Sequence, residues 1–201
     1  RGPKMQIVLN ENHEYFVDGV QYPSVTQVLG AAGVYGDSIR FYDERSRIRG
    51  KNVHRIIELH LKGILDKKTV DKRLKGYYDA FQKFEAENEV VANEVEKVVC
   101  NSGLMVAGTV DFIGKLNGEP VIIDFKTGVP VPATALQLAG YKVLIGGWTE
   151  RFRRAALYLK NNGTYRLNYY TNDADDKEVF LSACALYWWR KKYNMLKKVT
   201  K

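Results

Sequence analysis

Apolar positions along this chain recur with two periods, every second residue in short runs and at helical spacing in longer ones. Period two predicts short strands at Ile7–Leu9 and Tyr15–Val17 around a polar turn, with a second turn at Asp18-Gly19. Ser24-Val25-Thr26-Gln27 has the spacing of a capping box, so a short helix is expected after Pro23. Beyond the breaks at Gly33 and Gly36, an Arg-rich helix is expected from about Ser38 to Leu61, with Gly50 as a candidate interruption. A helix with Tyr and Phe at helical spacing follows from about Val70 to Ala86, then a strand over Val90–Cys100 and a turn at Asn101-Ser102-Gly103.

The most regular patterning comes next. Gly108-Thr109-Val110-Asp111 and Val121-Ile122-Ile123-Asp124-Phe125-Lys126-Thr127-Gly128 flank Asn117-Gly118, a strong two-residue hairpin signal. Val129-Pro130-Val131-Pro132 cannot continue a central strand and reads as a connection. Ala133 to Ile145 reads as a helix stopped by Gly146-Gly147. Ala155–Lys160 and Tyr165–Tyr170 form a second hairpin around Asn161-Asn162-Gly163, and a last helix runs from about Asp175 to Leu196 with a basic Lys197-Lys198 end. Helix, three strands, helix, two strands and helix predict an α/β sandwich. With 201 residues, 45% of them hydrophobic, one core and one domain over residues 5–201 are the simplest organisation; Arg1-Gly2-Pro3-Lys4 ahead of Met5 reads as an appended remnant.

Composition narrows the function. A net charge of +8 suits a polyanionic partner, although the 23 acidic residues are spread throughout. Cys100 and Cys184 are too few for a disulfide framework, a four-cysteine zinc site or an iron–sulfur cluster, and a reducing, cytoplasmic setting fits. No apolar run reaches the length of a membrane span. Asn162-Gly163-Thr164 matches a glycosylation sequon but reads as a turn.

The candidate chemistry lies on the first hairpin. On a strand, Asp124 and Lys126 point one way while Ile123 and Phe125 point the other. Charges this close to an apolar sheet are expensive unless they are paired or bind a metal. Two carboxylates with a neighbouring ammonium suit a divalent cation that assists attack on a phosphodiester.

Gly-Thr-Val-Asp, then Ile-Ile-Asp-Phe-Lys-Thr-Gly, then Gln137-Leu138-Ala139-Gly140-Tyr141, in that order, resemble the PD-(D/E)XK nuclease superfamily, and within it the RecB-like, phage-type exonucleases. The resemblance spans roughly Pro23 to Tyr170. It implies a restriction-endonuclease-like core, with a central mixed β-sheet flanked by helices. It implies further that Asp111, Asp124 and His54 bind Mg²⁺ or Mn²⁺, one ion or two, with the Phe125 backbone carbonyl and waters completing the shell. Lys126 then orients or deprotonates the attacking water, and Gln137 and Tyr141 act in catalysis and hold DNA. Glu96 matches the upstream acidic position, with Glu58, one turn beyond His54, and Glu94 as competing choices.

Around this centre, Arg40, Arg45, Arg47, Arg49, Lys51 and Arg55 either line a DNA path or form a solvated helix face. Tyr187, Trp188 and Trp189 read as core on an amphipathic helix, with a base-stacking platform as the alternative. The resemblance implies a deoxyribonuclease, in the first place an exonuclease acting at DNA ends in phage-type recombination, replication or end-processing. Its setting would be the host cytoplasm and its partner a single-strand annealing protein. The competing functions are a structure-selective flap endonuclease and a non-catalytic DNA-binding or assembly factor.

Overall fold

A computed structural model describes residues 6–36, 43–146 and 151–196. The expected start of the second helix at Ser38, Arg40, Gly147, the Lys197-Lys198 end and the first four residues lie outside the described residues.

Three short strands, β1 (Ile7–Leu9), β2 (Tyr15–Val17) and β3 (Val20–Tyr22), pair antiparallel in one small sheet. The third, directly after the Asp18-Gly19 turn, was not expected from the sequence. Helix α1 (Val25–Ala31) begins with the expected capping box: Ser24 Oγ accepts from the Gln27 N–H, and Gln27 Oε1 accepts from the Ser24 N–H.

Helix α2 (Glu44–Leu61) runs unbroken through Gly50, capped by the Asp43 carboxylate on the Ser46 N–H. Helix α3 (Lys75–Glu87) begins five residues later than expected. The intervening segment is a 3₁₀ turn at Lys67–Thr69, and the Asp71 carboxylate then takes the Arg73 N–H. Side chains that bond their own neighbouring backbone in this way compete with a helical ladder.

The large sheet has the order β4 (Val90–Asn101), β5 (Val106–Leu116), β6 (Glu119–Lys126), β7 (Arg153–Leu159), β8 (Tyr165–Tyr170). Its pairs are antiparallel except β6 with β7, which run parallel and are joined through helix α4 (Ala133–Gly146). Asn117 and Gly118, at φ 52 and 82, make the tight β5–β6 turn that their type predicts. Helix α5 (Asp173–Lys192) stops before the expected Leu196; Asn194 adopts φ 55, a left-handed conformation that ends helices.

The sheet is covered on both faces. Ile123, Phe125, Phe112 and Leu157 pack with Val53 and Ile57 of α2 and Phe81 and Phe84 of α3. Ile122, Ala156 and Tyr158 pack with Val28 of α1, Leu138 of α4 and Phe180 of α5. Alternation along β6 therefore sends its apolar residues to both layers, as expected of a central strand.

Strand β5 breaks the rule at one place. Val110 belongs to the α1–α4–α5 layer and Phe112, two residues on, to the α2–α3 layer, so the strand turns over at Asp111. Its two halves also have different neighbours. Residues from Phe112 onward pair with β6, whereas Ala107 bridges to Ser24 and bonds the Pro23 carbonyl. Across from this point on β4, Glu96 adopts φ 51, between the Val95–Phe112 and Lys97–Val110 pairs.

Candidate active site

The site grows from that irregularity. Beyond the Phe112–Ile123 pair, β5 and β6 part, and the Phe125 N–H donates to Asp111 Oδ2 at 2.7 Å instead of to a β5 carbonyl. The Phe125 carbonyl points the same way and meets His54 Nε2 of α2 at 2.6 Å. With Nε2 held there, His54 Nδ1 is the nitrogen left facing Asp111, 3.5 Å from Oδ1. A second partner on one ring nitrogen is the usual means of fixing which nitrogen serves a metal. The Phe125 carbonyl, expected as a metal ligand, is here the anchor of His54.

Glu96 completes the arrangement. His54, Glu96 and Asp111 each offer one ligand atom, and these atoms lie within 4.8 Å of one another. Its left-handed φ of 51, which a non-glycine residue adopts at some cost, goes with a carboxylate that faces His54 and Asp111. The competing acids are engaged elsewhere: Glu58 bonds Arg55 and Lys62, and exposed Glu94 pairs with Lys97.

Asp124 stands beside this trio on the α4 side. Its Oδ1 accepts from Gln137 Nε2 at 3.0 Å, and its Oδ2 is 2.7 Å from Lys126 Nζ. A carboxylate oxygen has two acceptor directions, and among the described residues only that ammonium reaches the buried Oδ2. Lys126 also donates to Gln137 Oε1 at 3.0 Å, and Gln137 Nε2 donates to the Tyr141 hydroxyl at 2.9 Å. One amide from α4 thus holds the acid, the amine and the phenol together. Gln137 and Tyr141 share a helix face one turn apart, as their spacing predicted. Gly108 makes room for the phenol ring: a Cβ there would stand 3.0 Å from Tyr141.

Protonation follows from the crowding of charge. Burial disfavours the His54 imidazolium, but the charge and hydrogen bond of Asp111, with Asp124 behind it, outweigh that and raise it to about 9. Burial, reinforced by Asp111 and partly offset by His54, raises Glu96 to about 7. Burial also pushes Asp111 up, yet His54 and the Phe125 N–H more than compensate, and it is lowered. Asp124 is raised by burial and by Asp111 against the pull of Lys126. Tyr141 is pushed well above its ordinary value by burial and the two aspartates, so it remains a neutral phenol.

Acids crowded closely enough to raise Glu96 and Asp124, beside a histidine that keeps its proton, make a place where a bound cation would take over the role of protons. The donor set of one imidazole and carboxylates, with Asp124 Oδ2 beside it, fits a divalent metal.

Tyr15 was missed from the sequence. Its hydroxyl bonds Thr109 Oγ1 at 2.9 Å, and the nearby charges of Glu96 and Asp111 add to burial in raising it. It comes from β2, and nothing in its strand pattern tied it to residues 94 positions away.

The expected cationic row on α2 is uneven. Arg47 and Arg55 are exposed but paired with Glu44 and Glu58; Arg49 is half-buried with its guanidinium 5.8 Å from the Tyr77 ring; Lys51 and Arg45 face solvent. The aromatic cluster on α5 is divided too. Tyr187 and Trp188 are half-buried, whereas Trp189 is 52% exposed, which corrects the expectation that all three are core.

The fold is α/β, a five-stranded mixed sheet flanked by helices and restriction-endonuclease-like in its core, with an acidic centre where two central strands separate. Among solved structures, the chain is similar to one from Eubacterium rectale described as "Putative exonuclease". The likeness has a TM-score of 0.59 at 14% identity and covers 88% of this chain and 83% of that one. No family model matches the sequence, and no curated protein matches it.

Proposed function

We propose that the protein is a divalent-metal-dependent deoxyribonuclease, most simply an exonuclease acting at DNA ends, formed by one domain over residues 5–201. The observation that carries this reading is the pairing of two sets of groups. His54, Glu96 and Asp111 converge, and Asp124, Lys126 and Gln137 adjoin them.

His54, Glu96 and Asp111 would hold the cation, with Asp124 Oδ2 as a further donor. When bound, Mg²⁺ or Mn²⁺ polarises the scissile phosphate and lowers the pKa of a bound water. Lys126 places an ammonium where negative charge grows on the phosphorus oxygens, or where the attacking water is oriented. Gln137 fixes that ammonium by accepting one of its hydrogens, and so sets its direction. Tyr141, a neutral phenol, has a hydroxyl that can donate to a phosphate oxygen. The likeness in fold to a solved structure described as "Putative exonuclease" favours action at ends; the phage-type recombination role beside a single-strand annealing protein rests on the resemblance to RecB-like enzymes alone.

The test is digestion of end-labelled linear, nicked and covalently closed DNA in Mg²⁺, Mn²⁺ or EDTA. Linear DNA is expected to be lost from its ends, and EDTA to abolish this. Lys126→Ala is expected to lower the rate by on the order of 10²–10³-fold, the usual effect of removing a transition-state donor. Cleavage of closed circles would point to an endonuclease. Full activity in Lys126→Ala would show that the centre lies elsewhere.

A further inference from the structure

A groove of about 1070 Å³ opens from the Lys126–Gln137 end of the site and runs between α1, the first half of α4 and the end of α5. This is at or above the upper end of a site for one small molecule, about 300–1,000 Å³. Much of its wall is small or apolar: Gly30, Ala31 and Gly33 on one side, Val131 and Met195 on others. Two tyrosines, Tyr35 and Tyr187, and two arginines, Arg47 and Arg190, stand among them.

From this lining we infer that the groove binds one unpaired strand of nucleic acid and leads it to the site, so that the preferred substrate is a single-stranded end or tail. This rests on the nuclease reading and narrows its substrate class. A duplex shows a protein mainly phosphates, and a surface that grips it is correspondingly cationic. Apolar and aromatic walls with a few cations suit the opposite case, in which base faces are exposed and the backbone is touched at intervals.

The two arginines are placed for that task. Among the described residues, Arg47 is held by an exposed pair with Glu44, which is worth little and yields readily to a phosphate. Arg190 Nη1 donates to the Ala31 carbonyl, which fixes its guanidinium at the wall. Met195 and Leu196 line the groove's far end. Just before them, Trp189 and Tyr193 lie 52% and 54% exposed with ring centroids 5.1 Å apart, and Lys192 reaches over the Tyr193 ring. These two rings stand outside the groove's lining, so Tyr35 and Tyr187 are the aromatic residues that face the strand.

The experiment is binding in EDTA, where hydrolysis is off, read by fluorescence anisotropy with labelled single-stranded DNA, single-stranded RNA and blunt duplex DNA. The single strands are expected to bind at least ten-fold more tightly than the duplex, and DNA and RNA within a few-fold of each other, since no stacking contact reads the 2′-hydroxyl. Tyr187→Leu is expected to lose about ten-fold in single-strand affinity, the order of one base stack. Tyr187→Phe retains it, and thermal melts of the two variants exclude unfolding as the cause. Arg47→Ala, at an exposed position on the groove wall, is expected to lose a few-fold with an unchanged melt. Equal affinity for duplex and strand, or wild-type affinity in Tyr187→Leu and Arg47→Ala, overturns the proposal. Because binding is read without cleavage, a protein that binds strands but cuts nothing would refute the nuclease reading alone.

Discussion

Gln137 makes three hydrogen bonds inside the site, accepting from Lys126 and donating to Asp124 and Tyr141. It is therefore a positioning residue: its removal takes away the acceptor that holds the Lys126 ammonium beside Asp124. Gln137→Ala is expected to lower kcat by on the order of 10²-fold, the usual consequence of misplacing a reacting group by about an ångström. KM and the melting temperature should change little, and steady-state kinetics beside a thermal melt check both. A drop in melting temperature that accounts for the lost activity would reduce Gln137 to a structural role. The residues of this hub were legible in the sequence, because alternation on β6 and the four-residue spacing on α4 each fix a face locally. The bonds among them were not, since they join elements that only packing brings together.

Two glycines show what decides at the scale of elements. Gly50 lies inside α2, and a Cβ there would meet only Thr127 Oγ1 at 3.7 Å, an ordinary contact. Gly50→Ala is expected to stabilise the protein by about 0.5–1 kcal/mol, the helix-propensity gain. Gly76, in the first turn of α3, is different. A Cβ there would stand 1.7 Å from the Asn161 carbonyl oxygen in the β7–β8 turn, and backbone cannot yield as a side chain tip can. Gly76→Ala is expected to cost about 1–3 kcal/mol or more. Urea denaturation of both variants checks the opposite signs, and equal effects would contradict this packing. The sequence marked both as glycines in or near helical patterns and offered no way to separate them. Likewise α3 was placed too early because Phe and Tyr spacing is visible in a sequence, whereas the Asp71 carboxylate's capture of the Arg73 N–H is not.

Across the whole molecule, the site draws His54 from α2, Glu96 from β4, Asp111 from β5, Asp124 and Lys126 from β6, and Gln137 and Tyr141 from α4. Its protons link it to global stability. His54 is raised from its ordinary 6.5 to about 9, so the folded state holds a proton that the unfolded chain loses earlier. That contribution is complete below about pH 6.5 and disappears as pH rises through 9. Glu96, raised from 4.5 to about 7, acts with the same sign over its lower window. The metal-free protein is therefore expected to lose melting temperature between about pH 5 and 9. Saturating Mn²⁺ should flatten that fall, because a cation replaces the proton on His54 and favours the Glu96 carboxylate. Melts across this range in EDTA and in Mn²⁺ test it, and parallel curves would argue against a cation at this trio.

By itself the sequence determined what depends on near neighbours: the Asn117-Gly118 turn, the faces of Asp124 and Lys126, the Gln137–Tyr141 stripe and the Ser24 cap. Each is set by a period or a turn within a few residues. Tertiary structure alone decided that Glu96 joins His54 and Asp111 while Glu58 and Glu94 do not, that Tyr15 reaches Thr109, and that a groove leads toward α5. Those outcomes depend on where β5 turns over and how helices from distant parts of the chain close on the sheet. No local spacing encodes such contacts, because the free energy that fixes them comes from burial between residues far apart in sequence.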